Sequence, residues 1–314
     1  MKFFEEKKTI YIIVAVVLLV LIGAILFWNF NREKDPKTDE RAGEIVIKKN
    51  YFEDISLEGE SAFVWDVKQQ KILFAKNPDA QLPLASLTKL MTALVSSELV
   101  PNGTIVTIKQ DDLNIEGDSG LVEGESWTLK NVLDFTLMSS SNDGAHALAS
   151  VIGYIKQKEE GKTEREMFIA EMNKRALEIG LSQTYYLSES GLDLSEGVSG
   201  AYGSAKDTAL LMEYIIKNKY DLIESTRYSV LRINSKDVAH SVENTNHYVE
   251  SIPGILGSKT GFTDLAGGNL VVAFDMGMGH PIIVSVLGSS KEGRFSDIQK
   301  LVNASINQIA EDRW

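Results

Sequence analysis

Apolar positions concentrate in short runs along residues 51–314, and their spacing changes twice. Ser61–Val67 and Lys71–Ala75 read as strands joined by a turn at Lys68-Gln69-Gln70. Leu84–Leu99 reads as a largely apolar helix, its inward face carrying Leu87, Leu90, Met91, Leu94 and Val95. Pro101-Asn102-Gly103 ends it. Thr104–Ile108 alternates like a short strand, and an acidic, glycine-rich loop follows over Asp111–Glu125. Helices are predicted at Leu129–Met138, Asp143–Ile155, Thr163–Ile179 and Ala205–Lys217, the third stopped by Gly180. Strand patterns return at Tyr228–Asn234, Gly257–Thr260, Gly268–Phe274 and Pro281–Gly288, and Phe295–Ala310 closes as a helix. Strands, helices, strands and a final helix predict an α+β fold: one antiparallel sheet flanked by helices, with an all-helical insert at approximately 109–220.

The N-terminus has a different pattern. Thr9–Phe30 is almost wholly apolar and uncharged. As a helix it would span roughly 30 Å of hydrocarbon. We therefore expect a single-pass transmembrane anchor over 9–30, a cytoplasmic 1–8, a charged tether over 31–50 and an extracytoplasmic catalytic domain over 51–314, held at a bacterial cell membrane. A cleaved signal peptide is the competing reading, but the run exceeds a signal core of about 7–15 residues and no small-x-small site follows it. The charges flanking the run, Lys2, Lys7 and Lys8 before it and Arg32 and Lys34 after it, orient it only weakly.

Composition narrows the chemistry. The chain has no cysteine, which removes disulfides and thiolate catalysis, and its four histidines show no zinc-binding spacing. A formal net charge of -12 argues against a nucleic-acid surface.

Three short motifs carry the candidate chemistry. Ser86 precedes Lys89 by three residues, Ser140-Ser141-Asn142 lies midway, and Lys259-Thr260-Gly261 lies far downstream. A serine hydroxyl needs a base at neutral pH. The three-residue offset places Lys89 on the same helical face, and burial or a second cation such as Lys259 would favour its neutral, basic form. Ser140 would relay a proton, and Asn142 would hold a substrate amide and orient Lys89. Lys259 and Thr260, on an edge strand, would bind a carboxylate, with Gly261 allowing close approach. The backbone amides of Ser86 and Phe262 are candidates for an oxyanion hole. Each motif alone is weak; in this order they form a signature of active-site serine acyl transfer on penicillin-like or D-alanyl substrates.

The flanking sequence sharpens this. "VWDVKQQKILFAKNPDAQLPLASLTKLMTAL" within Phe63–Leu94, "MFIAEMNKRALEIGLSQTYYLSESGL" and "NTNHYVESIPGILGSKTGFTDLAG" over Asn244–Gly267 resemble the low-molecular-weight penicillin-binding proteins. These are serine-type D-alanyl-D-alanine carboxypeptidases of the DacA type, peptidase family S11. The resemblance covers roughly residues 55–290. It implies a beta-lactamase/transpeptidase-like fold, with Ser86 as nucleophile, Lys89 as general base, Ser140 and Asn142 in support, and Lys259 and Thr260 on the substrate carboxylate. It implies peptidoglycan stem peptides as substrate, beta-lactams as slowly released covalent inhibitors, and no metal or organic cofactor. The chain departs from the family pattern at Ser141, commonly glycine, and at Tyr202-Gly203-Ser204-Ala205, where many relatives carry histidine. The family's extra β-rich domain and C-terminal amphipathic helix have no counterpart, so the N-terminal run is expected to replace that anchor. Other readings stay open: a class A-like beta-lactamase using Glu189 to activate water, a D,D-endopeptidase or transpeptidase, and a non-catalytic wall-peptide binder.

Overall fold

The computed structural model describes residues 14–28, 49–117, 120–155 and 161–312. The chain falls into two units, Met1–Lys48 and Lys49–Trp314. In the first, helix α1 covers 14–28 with its side chains exposed. At about 1.5 Å per residue such a helix falls short of a hydrocarbon core of about 30 Å. Among the described residues no helix is long and apolar enough to cross a membrane. This corrects the expected transmembrane anchor and, with it, the single-pass placement at a cell membrane. Thr9–Ile13, Asn29–Phe30, the N-terminal 1–8 and most of the expected tether lie outside the described residues.

The second unit is built on a five-stranded antiparallel sheet in the order β10-β11-β12-β1-β2. Its strands are β1 (Ser61–Asp66), β2 (Lys71–Lys76), β10 (Ile255–Thr263), β11 (Gly267–Asp275) and β12 (Pro281–Ser289). The period of two in these strands sorts side chains between two cores. Ala62, Val64, Leu270, Val272, Val284 and Val286 face helix α7 (Gly293–Asp312) with Ile298, Leu301 and Val302. Phe63, Val271, Ala273, Ile283 and Leu287 face the larger core on the other side. Both faces are buried, which is why β11 and β12 read as continuous apolar runs rather than as alternation.

The larger core holds the helices. Helix α2 (Lys89–Leu99) lies at its centre against α3 (Leu129–Ser139), α4 (Asn142–Ile155), α5 (Glu164–Ile179) and α6 (Ala205–Asn218), and α6 covers β1 and β12. Helix α5 is framed by a Thr163–Glu166 capping box and a left-handed Gly180. Short pairs complete the unit: β4 (Ile105–Thr107) with β5 (Ser126–Thr128), and β3 (Leu82–Pro83) with β7 (Ala201–Gly203) and β6 (Tyr185–Tyr186).

Two elements differ from the sequence reading. The helix expected from Leu84 opens as a 3-10 turn over Ala85–Thr88 and becomes α-helical only at Lys89. The strand expected at Tyr228–Asn234 is β8 (Val230–Asn234), which pairs with β9 (Ala239–Glu243) as a separate hairpin. Only Ile233 and Val242 of that hairpin are fully buried, too little apolar surface to join a sheet covered on both faces.

Asp297 joins α7 to the start of the fold. Its buried carboxylate accepts from Glu58 N (3.2 Å), Gly59 N (2.8 Å) and Ser289 Oγ (2.9 Å). Asp297→Ala strands these donors and is expected to destabilise the unit by about 3 kcal/mol or more. Asp297→Asn, which keeps one acceptor, is expected to cost less. Urea unfolding midpoints of the three proteins check this.

Candidate active site

Ser86 sits in the 3-10 turn that leads into α2. Ala85, just before it, is held at φ 47°, a left-handed conformation that costs a non-glycine residue about 1 kcal/mol or more. The surrounding chain fixes it there. Leu84 N donates to Ala201 O (3.0 Å), and Thr88 Oγ1 donates to Ala85 O (2.7 Å). Two glycines let other segments close on this turn. A Cβ on Gly191 would lie 2.0 Å from Ala85 O, and φ of 80° there also suits glycine. A Cβ on Gly261 would lie 2.9 Å from Leu84 O and 3.1 Å from Ser86 N. The space left by Gly261 is thus taken by the turn that bears Ser86.

Lys89 is fully buried, and its amine makes three hydrogen bonds. Nζ donates to Ser86 Oγ (2.8 Å), Asn142 Oδ1 (2.8 Å) and Ser190 O (2.9 Å). Burial pushes this amine down to about 7, against the carboxylates of Glu189 and Asp143, which hold it up. Burial, not a second cation, is the main cause. The repulsion between the two buried lysines is felt at Lys259. That amine is also buried and is held well below the usual lysine range, first by burial, then by Lys89 and Arg294.

Lys259 Nζ donates to Ser140 Oγ and to Thr260 O, each at 2.9 Å. Ser140 caps α3 in the left-handed conformation (φ 61°), so its side chain turns out of the helix path. Asn142 opens α4, and its Nδ2 donates to Glu116 O (2.7 Å), bringing the acidic loop to the site. Two amine–hydroxyl pairs result, Lys89 with Ser86 and Lys259 with Ser140. All three motifs meet at the edge strand β10. Phe262, next to Gly261, is partly exposed and lines an adjoining cleft of about 460 Å³ with Glu116, Leu192, Asp193, Thr263 and Leu265. Asp193, in the lining of that cleft, accepts from Thr263 Oγ1 (3.0 Å) and Leu265 N (3.2 Å).

Glu189 is not placed as a water-activating base. Its buried carboxylate is gripped by Arg165 through Nε (3.3 Å) and NH2 (2.9 Å). The adjacent main chain serves the site instead: Glu189 O accepts from Thr92 Oγ1 (2.6 Å), and Ser190 O accepts from Lys89. Three further groups near the motifs escaped the sequence reading. Ser190 contributes only a carbonyl, which has no side-chain signature. Arg294 reaches from α7 to Gly261 O (2.7 Å), and Thr245 lies against Thr260. Thr245 lay inside a segment already singled out, between two asparagines.

The family model described as Peptidase S11, D-alanyl-D-alanine carboxypeptidase, matches residues 48–291. The chain belongs to this family. D-alanyl-D-alanine carboxypeptidase DacF of Bacillus subtilis is 29% identical over 264 residues, 81% of this chain and 64% of that protein's own length. A D-alanyl-D-alanine endopeptidase of Haemophilus influenzae is 31% identical over 216 residues, 68% of this chain and 69% of the relative. The crystal structure of penicillin-binding protein D2 from Listeria monocytogenes, in its ampicillin-bound form, superposes with a TM-score of 0.68 at 29% identity, covering 80% of this chain and 98% of that one. The α+β fold is that of penicillin-binding proteins and DD-transpeptidases.

The lysine environment predicts a direct observation. In protein carrying carbon-13-labelled lysine, the Lys89 side-chain resonance is expected to titrate at about pH 7 rather than near 10.5. Glu189→Gln removes a charge that holds the proton on, so it is expected to move the midpoint lower. A wild-type midpoint at the ordinary lysine value contradicts the burial argument.

Proposed function

We propose that the chain is a serine-type D-alanyl-D-alanine carboxypeptidase that removes the terminal D-alanine from peptidoglycan stem pentapeptides through a Ser86 acyl-enzyme. The observation that carries this is a buried Lys89 amine 2.8 Å from Ser86 Oγ, in a chain of the Peptidase S11 family. The catalytic part is 51–314, with the helical insert at approximately 109–220.

Lys89, neutral at and above about pH 7, takes the Ser86 proton as Oγ attacks the carbonyl of the penultimate D-alanine. The developing oxyanion is held by the amides of Ser86 and Phe262. Ser140, bonded to Lys259, gives its hydroxyl proton to the nitrogen of the leaving D-alanine and takes up the proton held by Lys89, so both groups return to their starting states. Asn142 orients Lys89 and the substrate amide. Lys259 and Thr260 hold the terminal carboxylate, and Gly261 sets their strand against the nucleophile. Water then attacks the acyl-enzyme; Lys89 accepts its proton and returns it to Ser86 Oγ as the ester bond breaks and the shortened peptide acid leaves. No metal or organic cofactor enters this scheme. A beta-lactam, whose ring amide mimics the scissile bond, acylates Ser86 and leaves slowly; the Listeria protein solved with ampicillin supports this.

The arrangement does not favour a beta-lactamase, because Glu189 is committed to Arg165. A D,D-endopeptidase reading has specific support in the Haemophilus relative. It uses the same nucleophile on a cross-link.

Three measurements test the proposal. A fluorescent penicillin is expected to label the wild type but not Ser86→Ala. The labelling rate is expected to rise with pH through about 7 and then level off, since the neutral amine is the active form. Mass spectrometry of muropeptides is expected to show one D-alanine lost from pentapeptide stems. Intact pentapeptides with cleaved cross-links would instead establish the endopeptidase.

A further inference from the structure

Thr260 does not stand alone at the carboxylate end of the site. Its Oγ1 lies 2.6 Å from Thr245 Oγ1. Thr245 is carried on a turn pinned from three sides. Its own N donates to Met138 O (3.1 Å), at the end of α3. Before it, the buried Asn244 donates through Nδ2 to Thr226 O (2.8 Å) and Tyr228 O (3.0 Å). After it, the buried Asn246 donates through Nδ2 to Ser258 Oγ (3.0 Å) on β10. The two asparagines also bond to each other, Asn246 N to Asn244 Oδ1 at 2.8 Å. This scaffold buries both amides and leaves the threonine between them half-buried against Thr260.

The proton count at this pair points to a ligand of definite charge. Each hydroxyl carries one proton, and their mutual bond uses one of the two. Among the described residues neither hydroxyl makes another side-chain or backbone hydrogen bond. One donor is left over, polarised by its neighbour. It stands one residue from Lys259, whose amine is bonded to Ser140. A hydroxyl donor beside an amine donor matches an anionic oxygen.

We propose that Thr245 is a specificity-determining residue for the terminal carboxylate of the substrate, acting through Thr260, with which it offers one oriented donor. The inference rests on the carboxypeptidase reading above and deepens it. Thr260 supplies one hydroxyl from the edge strand, and Thr245 sets the direction in which the remaining proton points. Without the Thr245 hydroxyl, Thr260 loses both its partner and its orientation.

The test uses a tripeptide ending in D-alanyl-D-alanine and the same peptide capped as a C-terminal amide. Wild type is expected to prefer the acid. Thr245→Val keeps the shape and loses the hydroxyl; it is expected to lower kcat/KM for the acid by about tenfold, mainly through KM, and to shrink the acid-over-amide preference by a similar factor. Thr245→Ser is expected to restore most of that preference. Thermal unfolding midpoints identify any variant that has lost its fold. An unchanged acid-over-amide ratio in Thr245→Val overturns the proposal, as does a Thr245→Ser protein as impaired as the valine variant. Failure of the parent reading looks different: wild type would release no D-alanine from either peptide.

Discussion

The buried amine of Lys89 is the joint on which the site depends. Three stretches of chain far apart in sequence end on it: the turn bearing Ser86, the start of α4 at Asn142, and the carbonyl of Ser190. A lysine removed from water loses several kcal/mol of hydration if it stays charged. It relieves this by gathering acceptors and by giving up its proton more readily. The first response fixes the geometry of the cleft, and the second supplies a base. Folding and reactivity thus draw on the same desolvation.

The electrostatics around this joint are graded. Glu189 and Asp143 hold the Lys89 proton on, while burial drives it off. Arg165 neutralises part of the Glu189 charge by a two-pronged contact. Lys259 holds its own proton more weakly, first because it is buried and then because Lys89 and Arg294 lie near it. The two amines have different hydroxyl partners, Ser86 for Lys89 and Ser140 for Lys259.

Much of this was legible in the chain before folding. Ser86, Lys89, Ser140, Asn142, Lys259 and Thr260 lie in short contiguous motifs, and the side-chain types declare their chemistry. The helices α3 to α6 were readable from their spacing and from stops such as Gly180. What was not legible depends on contacts that spacing does not encode. The Ser190 carbonyl belongs to no motif. Glu189 was open to a catalytic reading until Arg165, on the first turn of α5, was seen to hold it. The hairpin of β8 and β9 was misjudged because a strand-like run does not say which sheet it joins. The N-terminal run shows the same limit for length: apolar composition permitted a membrane-spanning helix, but the described helix covers only 14–28.

The contact at Gly261 has a wider consequence. Because that position has no side chain, the edge strand rests directly on the main chain at Leu84 and Ser86. Sheet and helix meet there backbone to backbone, without a flexible side chain to absorb movement. The spacing between the Ser86 turn and β10 is therefore fixed. A side chain at position 261 would have to be accommodated by moving one structural layer against the other.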